Sequence, residues 1–314
     1  MRTDTRKRRK KTNKELERME RKIRSIYHTA HVDLQKKTKE YFKQFEKLDE
    51  QKRVKVALGE MKSSDYRKWR RNKMLMGKHW TRMMDQAAKS MHNANKIANA
   101  VINDRLPNIY LINYNGEAFT AQSDLGGKFS FEMINQQAVT NLIKAGNKSL
   151  LPMKELDPAK DIPWNMQKVN NAALQGIIQG ESIPKIAERI ASVTTANEVQ
   201  SIRAARTLVT RVENQAVQDV AKRAADMGCI VTKSWIATND AHTRQWHRDA
   251  FANYGTRDKS IPWDEPFIVM GEEIMRPGID GSPKNVYNCR CASCNWYQGF
   301  EKTLPEGTIR IRWK

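Results

Sequence analysis

The chain has 314 residues, enough for two domains of ordinary size, and its 56 Lys and Arg against 35 Asp and Glu give a formal charge of +21. A balance so far from neutral points to a polyanionic partner: nucleic acid, an anionic membrane or an acidic protein surface. The membrane is disfavoured, because no run approaches the roughly 18 apolar residues that a spanning helix needs, and the charged N-terminus has no apolar stretch behind it, so a secretory signal is not expected.

Residues 1 to 11 read as a basic arm. With the helix charges that follow, Arg2, Arg6, Lys7, Arg8, Arg9, Lys10, Lys11 and Lys14 are candidate phosphate contacts that bind DNA without reading its sequence. Aromatic residues are not interleaved through Lys11, so base stacking is not indicated there. Residues 12 to 106 read as long amphipathic helices. The first runs to about residue 47 on a stripe of Leu16, Met19, Ile23, Ile26, Ala30, Leu34, Tyr41 and Phe45. A second, capped at Ser64 and Asp65, reaches about Ile102 and carries Trp69, Met74, Met76, Trp80, Met83 and Met84. That concentration reads most simply as an adaptable core seam, and more sharply as a partner-binding surface.

Residues 107 to 163 read as a hairpin, a helix and a Pro-rich connector. Pro107 ends the helical region, and Asn115-Gly116 between Ile109-Tyr-Leu-Ile and Ala118-Phe-Thr-Ala predicts a tight β-turn. A helix is expected from about Phe131 to Ala145. Residues 164 to 228 read as a helical lead-in: Trp164 to Gln179 closed by Gly180, a short helix started by Ser182 and Pro184, and a long helix from Ala196 to Met227 ended by Gly228. Residues 229 to 314 read as a small α+β module, opening on a strand from Cys229 to Ala237 and closing on the alternating strand Thr308 to Trp313. The fold class is therefore α+β, with a long helical N-terminal region before the small C-terminal module.

The module carries the chemistry. Cys289, Cys291 and Cys294 lie within six residues, with Cys229 elsewhere. That is too local for a disulfide framework and suits a reducing cytoplasm, where clustered cysteines are thiols or metal ligands. With His247 they would form a Cys3His zinc centre, although Cys-x-Cys is tighter than the usual Cys-x2-Cys. The other reading is a structural knot. Trp235 is core, Asp240, Thr243 and Arg244 organise a turn into a helix, and Pro277-Gly278 with Asp280 makes a loop. Asn288 and Arg290 would tie that loop to the sheet. The knot is preferred because no complete set of nucleophile, base and oxyanion donors is present, so no catalytic residue is assigned and no cofactor beyond a structural zinc is expected.

Trp235, the polar turn at Asp240, Thr243-Arg244-x-x-His247, Pro277-Gly278-x-Asp280 and Asn288-Cys289-Arg290-Cys291 occur in one order. That order resembles the phage head morphogenesis family, the Mu F-like minor head proteins of tailed bacteriophages, over about Trp164 to Trp296. The segment Gln175 to Arg189 and the segment Ala205 to Asn214 fit the family's helical lead-in. Where some relatives have further Cys or His pairs, this chain has Thr243-Arg244 and Asn288. Some members carry toxin or enzyme domains after the module, and with eighteen residues after Trp296 none is expected here. The resemblance implies a minor head protein of the virion. It would sit in few copies inside the capsid near the portal, after assembly in the host cytoplasm, with portal protein, phage genomic DNA and other capsid proteins as partners. Its roles would be head assembly and genome packaging or delivery. The alternative is a metal-dependent nuclease with a Cys/His zinc centre.

Overall fold

The first helix begins earlier than its apolar stripe suggests. In a computed structural model, which describes residues 2–126, 133–144 and 152–300, α1 spans Thr3–Lys43. Its buried positions include Thr5, Arg8, Thr12, Glu15, Met19, Ile23, Tyr27, Ala30, Leu34, Thr38 and Phe42. Those residues recur every three or four positions, one continuous helical face. The first four are polar, so an apolar count misses them. The expected basic arm is thus the opening turns of a helix.

The remaining helices follow as α2 (Glu46–Ala57), α3 (Ser63–Met74), α4 (Lys78–Asp124), α5 (Gln136–Lys144), α6 (Pro158–Ile178), α7 (Ile183–Ala191) and α8 (Val193–Asp226). The helix expected from Ser64 to Ile102 breaks at Leu75–Gly77 into α3 and α4. The hairpin expected around Asn115-Gly116 does not form, because α4 runs unbroken to Asp124 with Pro107 inside it. Leu106, Ile109, Tyr110, Asn113, Tyr114, Glu117, Ala118 and Ala121 are all buried at helical spacing. Burial of that face outweighs the one backbone bond that proline removes and the turn preference of Asn-Gly. The Asn115 amide instead holds a neighbouring segment, donating to the Ile134 carbonyl and accepting from its N–H, both at 3.0 Å.

After α8 come β1 (Cys229–Ile236), α9 (Gln245–Tyr254), β2 (Ile261–Pro262), β3 (Phe267–Val269), β4 (Glu272–Ile274), α10 (Pro283–Val286) and β5 (Ala292–Phe300). β1 is central in an antiparallel sheet of order β2-β1-β5, and β3 and β4 form a separate hairpin. Trp235 stands opposite Ser293, and Ser234 opposite Cys294. The closing strand expected at Thr308 to Trp313 lies outside the described residues. The class is α+β, helical first with a small C-terminal sheet.

The chain divides into two compact units: residues 1–19, 102–152 and 203–314 in one, residues 20–101 and 153–202 in the other. The second unit is all helical. Leu34, Phe42, Met74, Trp80, Met83, Met91, Val169, Ile177, Ile186 and Ile190 form its core. Trp80 donates its indole N–H to Asn170 at 3.1 Å. Arg70 and Asp49 make a buried ion pair at 3.0 Å. Met74, Trp80 and Met83 of the Met and Trp seam are therefore in this unit's core, with Trp69 and Met84 packed against it, while Met76 is exposed. No helix among the described residues is long and apolar enough to cross a membrane.

Candidate functional site

The site lies in the first unit, where β1, α9, α10 and the turn before β5 meet. Trp235 is buried on β1, its ring edge-on to His247 (5.3 Å between centroids) and to Phe267 (5.4 Å). His247 sits in the first turn of α9 and is also buried. Its Nδ1 lies 3.4 Å from Cys291 Sγ and 3.8 Å from Cys289 Sγ. The three donor atoms all fall within 4.8 Å of one another. Nε2 of the same ring is 3.3 Å from Asn285 Oδ1, whose amide donates to Glu272 at 2.8 Å. An amide oxygen only accepts, so Nε2 donates to Asn285, and Nδ1 is the ring nitrogen that faces the two sulfurs.

Cys294 does not join this cluster. It belongs to β5, and its Sγ lies 3.3 Å from Thr5 Oγ1 of α1. Cys229 is buried at the start of β1, and all four thiols are free. Cys289 and Cys291 act as one unit. A hydrogen bond from the Cys291 thiol pulls the Cys289 thiol well below its usual value against the cost of burial, and His247 adds to the pull. Cys291 is pushed well above the usual value because its proton serves Cys289. The backbone N–H of Cys291 also donates to Cys289 Sγ, at 3.4 Å.

The turn around these cysteines is bound to α8 rather than to the sheet. Thr207 accepts the Asn288 N–H at 2.8 Å, and Thr210 donates to the Cys289 carbonyl at 2.5 Å. Asn214 donates to the Cys291 carbonyl at 3.2 Å and accepts the Ser293 N–H at 2.6 Å. Thr207, Thr210 and Asn214 follow one another at three and four residues, a polar stripe along one face of the helix. The Pro277-Gly278 loop lies against the same helix. Gly278 has φ +81, and a Cβ there would meet Thr210 Cγ2 at 2.8 Å. Only glycine meets both constraints. Asp280 (φ 66) and Asn288 (φ 57) adopt the same left-handed conformation, which short polar residues tolerate.

Arg290 turns away from the sulfurs and grips Asp240 with both arms of its guanidinium, at 2.6 and 2.7 Å. That fork holds the Asp240 carboxyl far below the usual carboxylate range. Asp240 also accepts from Thr243 Oγ1 at 3.1 Å and from the His242 N–H at 3.0 Å. Arg244 donates to the Tyr287 carbonyl at 2.6 Å. Asp240, Thr243, Arg244 and Arg290 therefore shape the loops on either side of His247 and do not reach the cluster.

The basic residues divide in two. Arg8 is buried and pairs with Glu117, which also accepts from Tyr297 at 3.0 Å. Arg9 donates to the Arg290 carbonyl at 2.7 Å and lies 3.9 Å from Glu213, whose carboxyl burial pushes upward. Arg2 pairs with Asp124 and lies over the Trp296 ring. By contrast, Arg6, Lys7, Lys10, Lys11 and Lys14 are exposed on α1. So three of the eight expected phosphate contacts serve the fold.

Sequence reasoning did not single out Asn285, Glu272 and Ser282, the chain of groups behind His247. Ser282 donates its hydroxyl to Glu272 at 2.6 Å and its N–H at 2.8 Å. With the Asn285 bond, these hold the Glu272 carboxyl down at about 2. Ser282-Pro283 was legible as a helix start, but the partner at Glu272 was not. Lys233 was also missed. It is fully buried on β1, donates to the Met275 carbonyl at 2.8 Å and lies over the Phe267 ring.

Residues 167–294 match the family described as Phage Mu protein F like protein. The matched span contains α8, β1, α9, the cysteine turn and the first residues of β5, so this part of the chain is similar to the Mu F-like family. A protein of Enterococcus faecalis described as NAD(+)--arginine ADP-ribosyltransferase EFV is 28% identical over 191 residues, which are 61% of this chain and 38% of that protein. The chain thus spans well under half the length of that relative. No solved structure matches at a significant level.

Proposed function

We propose that this chain is a minor head protein held inside the capsid near the portal, where it binds the portal and the packaged DNA and assists head assembly and genome packaging or delivery. The observation that carries this reading is the Mu F-like match over the module that the Asp240–Arg290 fork and the α8 polar stripe hold together. A charge of +21 suits a protein that lies against a polyanion. The DNA-facing surface in this reading is the exposed side of α1, Arg6, Lys7, Lys10, Lys11 and Lys14, because Arg2, Arg8 and Arg9 are engaged internally. For the portal the candidates are apolar side chains that the helical unit leaves exposed, Val54, Leu58 and Met76.

Catalysis is not part of the proposal. His247, Cys289 and Cys291 are all buried, which leaves a substrate no approach to them. The chain covers 38% of the Enterococcus protein, and the transferase activity named for that protein is not carried over to this chain. Capture on immobilised full-length chain tests the proposal. Portal protein should be retained by the parent and released on Val54→Asp with Leu58→Asp. No retention by the parent would overturn the portal contact. NAD-dependent modification of arginine, or chelator-sensitive cleavage of plasmid DNA, would overturn the non-catalytic assignment.

A further inference from the structure

We propose that His247, Cys289 and Cys291 bind a zinc ion through one imidazole nitrogen and two thiolates, with water as the fourth ligand, and that Cys294 takes no part. The geometry argues for a metal rather than for hydrogen-bonded thiols alone. Zinc bonds of about 2.3 Å to sulfur and about 2.05 Å to nitrogen, at tetrahedral angles, put sulfur and nitrogen donors about 3.6 Å apart. The two distances here, 3.4 and 3.8 Å, lie on either side of that value. Both sulfurs face the same nitrogen, Nδ1, while the other ring nitrogen, Nε2, is taken up by Asn285.

The surroundings are those of a metal ligand set. A ligating histidine usually gives its second ring N–H to an acceptor that is itself anchored. Here Asn285 accepts it and is fixed in turn by Glu272 and Ser282. The Cys291 backbone N–H directed at Cys289 Sγ stabilises sulfur as thiolate. Trp235 and Phe267 wall the site with rings and keep its dielectric low. The position also explains what a metal would do. α9 reaches the cysteine turn from a different part of the chain, and a bond through zinc fastens helix to turn in a module whose sheet has three strands among the described residues. On binding, the metal displaces the protons of the two thiols, which leave to solvent, and nothing is oxidised or reduced. Zinc binding does not depend on the head role. A head protein and an unrelated protein with these residues would bind zinc alike.

The test is cobalt titration of the full-length reduced chain, freed of metal by a chelator, with zinc content of the freshly purified protein measured alongside. The expected result is stoichiometric zinc as purified and, with cobalt(II), a thiolate-to-cobalt charge-transfer band that zinc abolishes. Cys294→Ser should keep both. Cys289→Ser and Cys291→Ser should lose the stoichiometric metal and weaken the band. Because those variants remove buried groups, Asn285→Ala is the second arm. It leaves every ligand in place and should weaken zinc about 10–100-fold in competition with a chromophoric chelator. A folded, reduced parent with no charge-transfer band would overturn the proposal. So would a Cys294→Ser variant that loses the metal, or an Asn285→Ala variant with unchanged affinity.

Discussion

The stem of Arg8 occupies the space where a side chain at residue 116 would begin. A Cβ on Gly116 would lie 3.3 Å from Arg8 Cδ, and the guanidinium goes on to pair with Glu117, the next residue along α4. The first turns of α1 are in this way built into the sheet-bearing unit. Arg8→Met should destabilise the protein by about 3–5 kcal/mol, because it leaves Glu117 buried without its partner charge. Replacing both residues by Met should recover most of that loss. Urea unfolding of the parent, both single variants and the double variant gives the coupling directly. An additive cycle would contradict the buried-pair assignment.

Polyanion binding is expected on the exposed side of α1. Changing Lys7, Lys10, Lys11 and Lys14 to Gln leaves the Arg8 pair intact. It should lower affinity for duplex DNA and flatten the slope of log K against log salt by about 0.9 for each phosphate no longer neutralised. Deleting residues 1 to 11 is a poor substitute, since it removes Arg8 and Arg9 and so the packing of α1. If the four-site variant keeps the parent's slope, this face does not touch DNA.

Trp235 is the largest apolar side chain in the core around His247. Trp235→Ala should cost about 3–5 kcal/mol, read from the shift in denaturant midpoint. A cost under about 1 kcal/mol would mean that the ring is not the centre of that core.

Lys233 gives a test in pH. Burial lowers its ammonium from 10.5 to about 8, with Arg276 adding to the shift. A lysine depressed in the folded state binds its proton less well there than in the unfolded chain. Its penalty is therefore full below about pH 8, and it is relieved as pH rises towards 10.5. Stability of the parent relative to Lys233→Met should accordingly rise by up to about 3 kcal/mol across that window. Paired unfolding curves at about pH 7.5 and about pH 10 check the sign. A difference that does not change with pH would mean that Lys233 is solvated.

Much of the helical frame was legible as apolar periodicity: α6 ends near Gly180, α7 starts after Ser182 and α8 ends near Gly228, whereas α6 begins at Pro158, inside the expected connector, with Pro163 in the helix. What escaped has physical reasons. The stripe of α1 continues through Thr5, Arg8, Thr12 and Glu15, polar groups that each have a partner far away in sequence, Glu15 pairing with Arg105 as well as with nearby Arg18. Asn115-Gly116 carries the local signature of a turn, but in the fold the glycine makes room for Arg8. β5 was not expected, since Ala292-Ser-Cys-Asn-Trp-Tyr lacks the alternation of a half-buried strand. Of the four residues expected to share a site, His247, Cys289 and Cys291 come together and Cys294 does not. Pairing with β1 decides where that last sulfur sits, and pairing is not written in local spacing.

Whether this chain belongs in a phage head is tested most directly by quantitative mass spectrometry of purified heads. Procapsids and DNA-filled heads are separated on a gradient, and the chain is counted against portal and major capsid protein in each fraction. A minor head protein should be present at a constant low number per portal in procapsids, kept or lost as a set when DNA leaves. Absence from both kinds of head, with the chain recovered only as free protein, would contradict that placement.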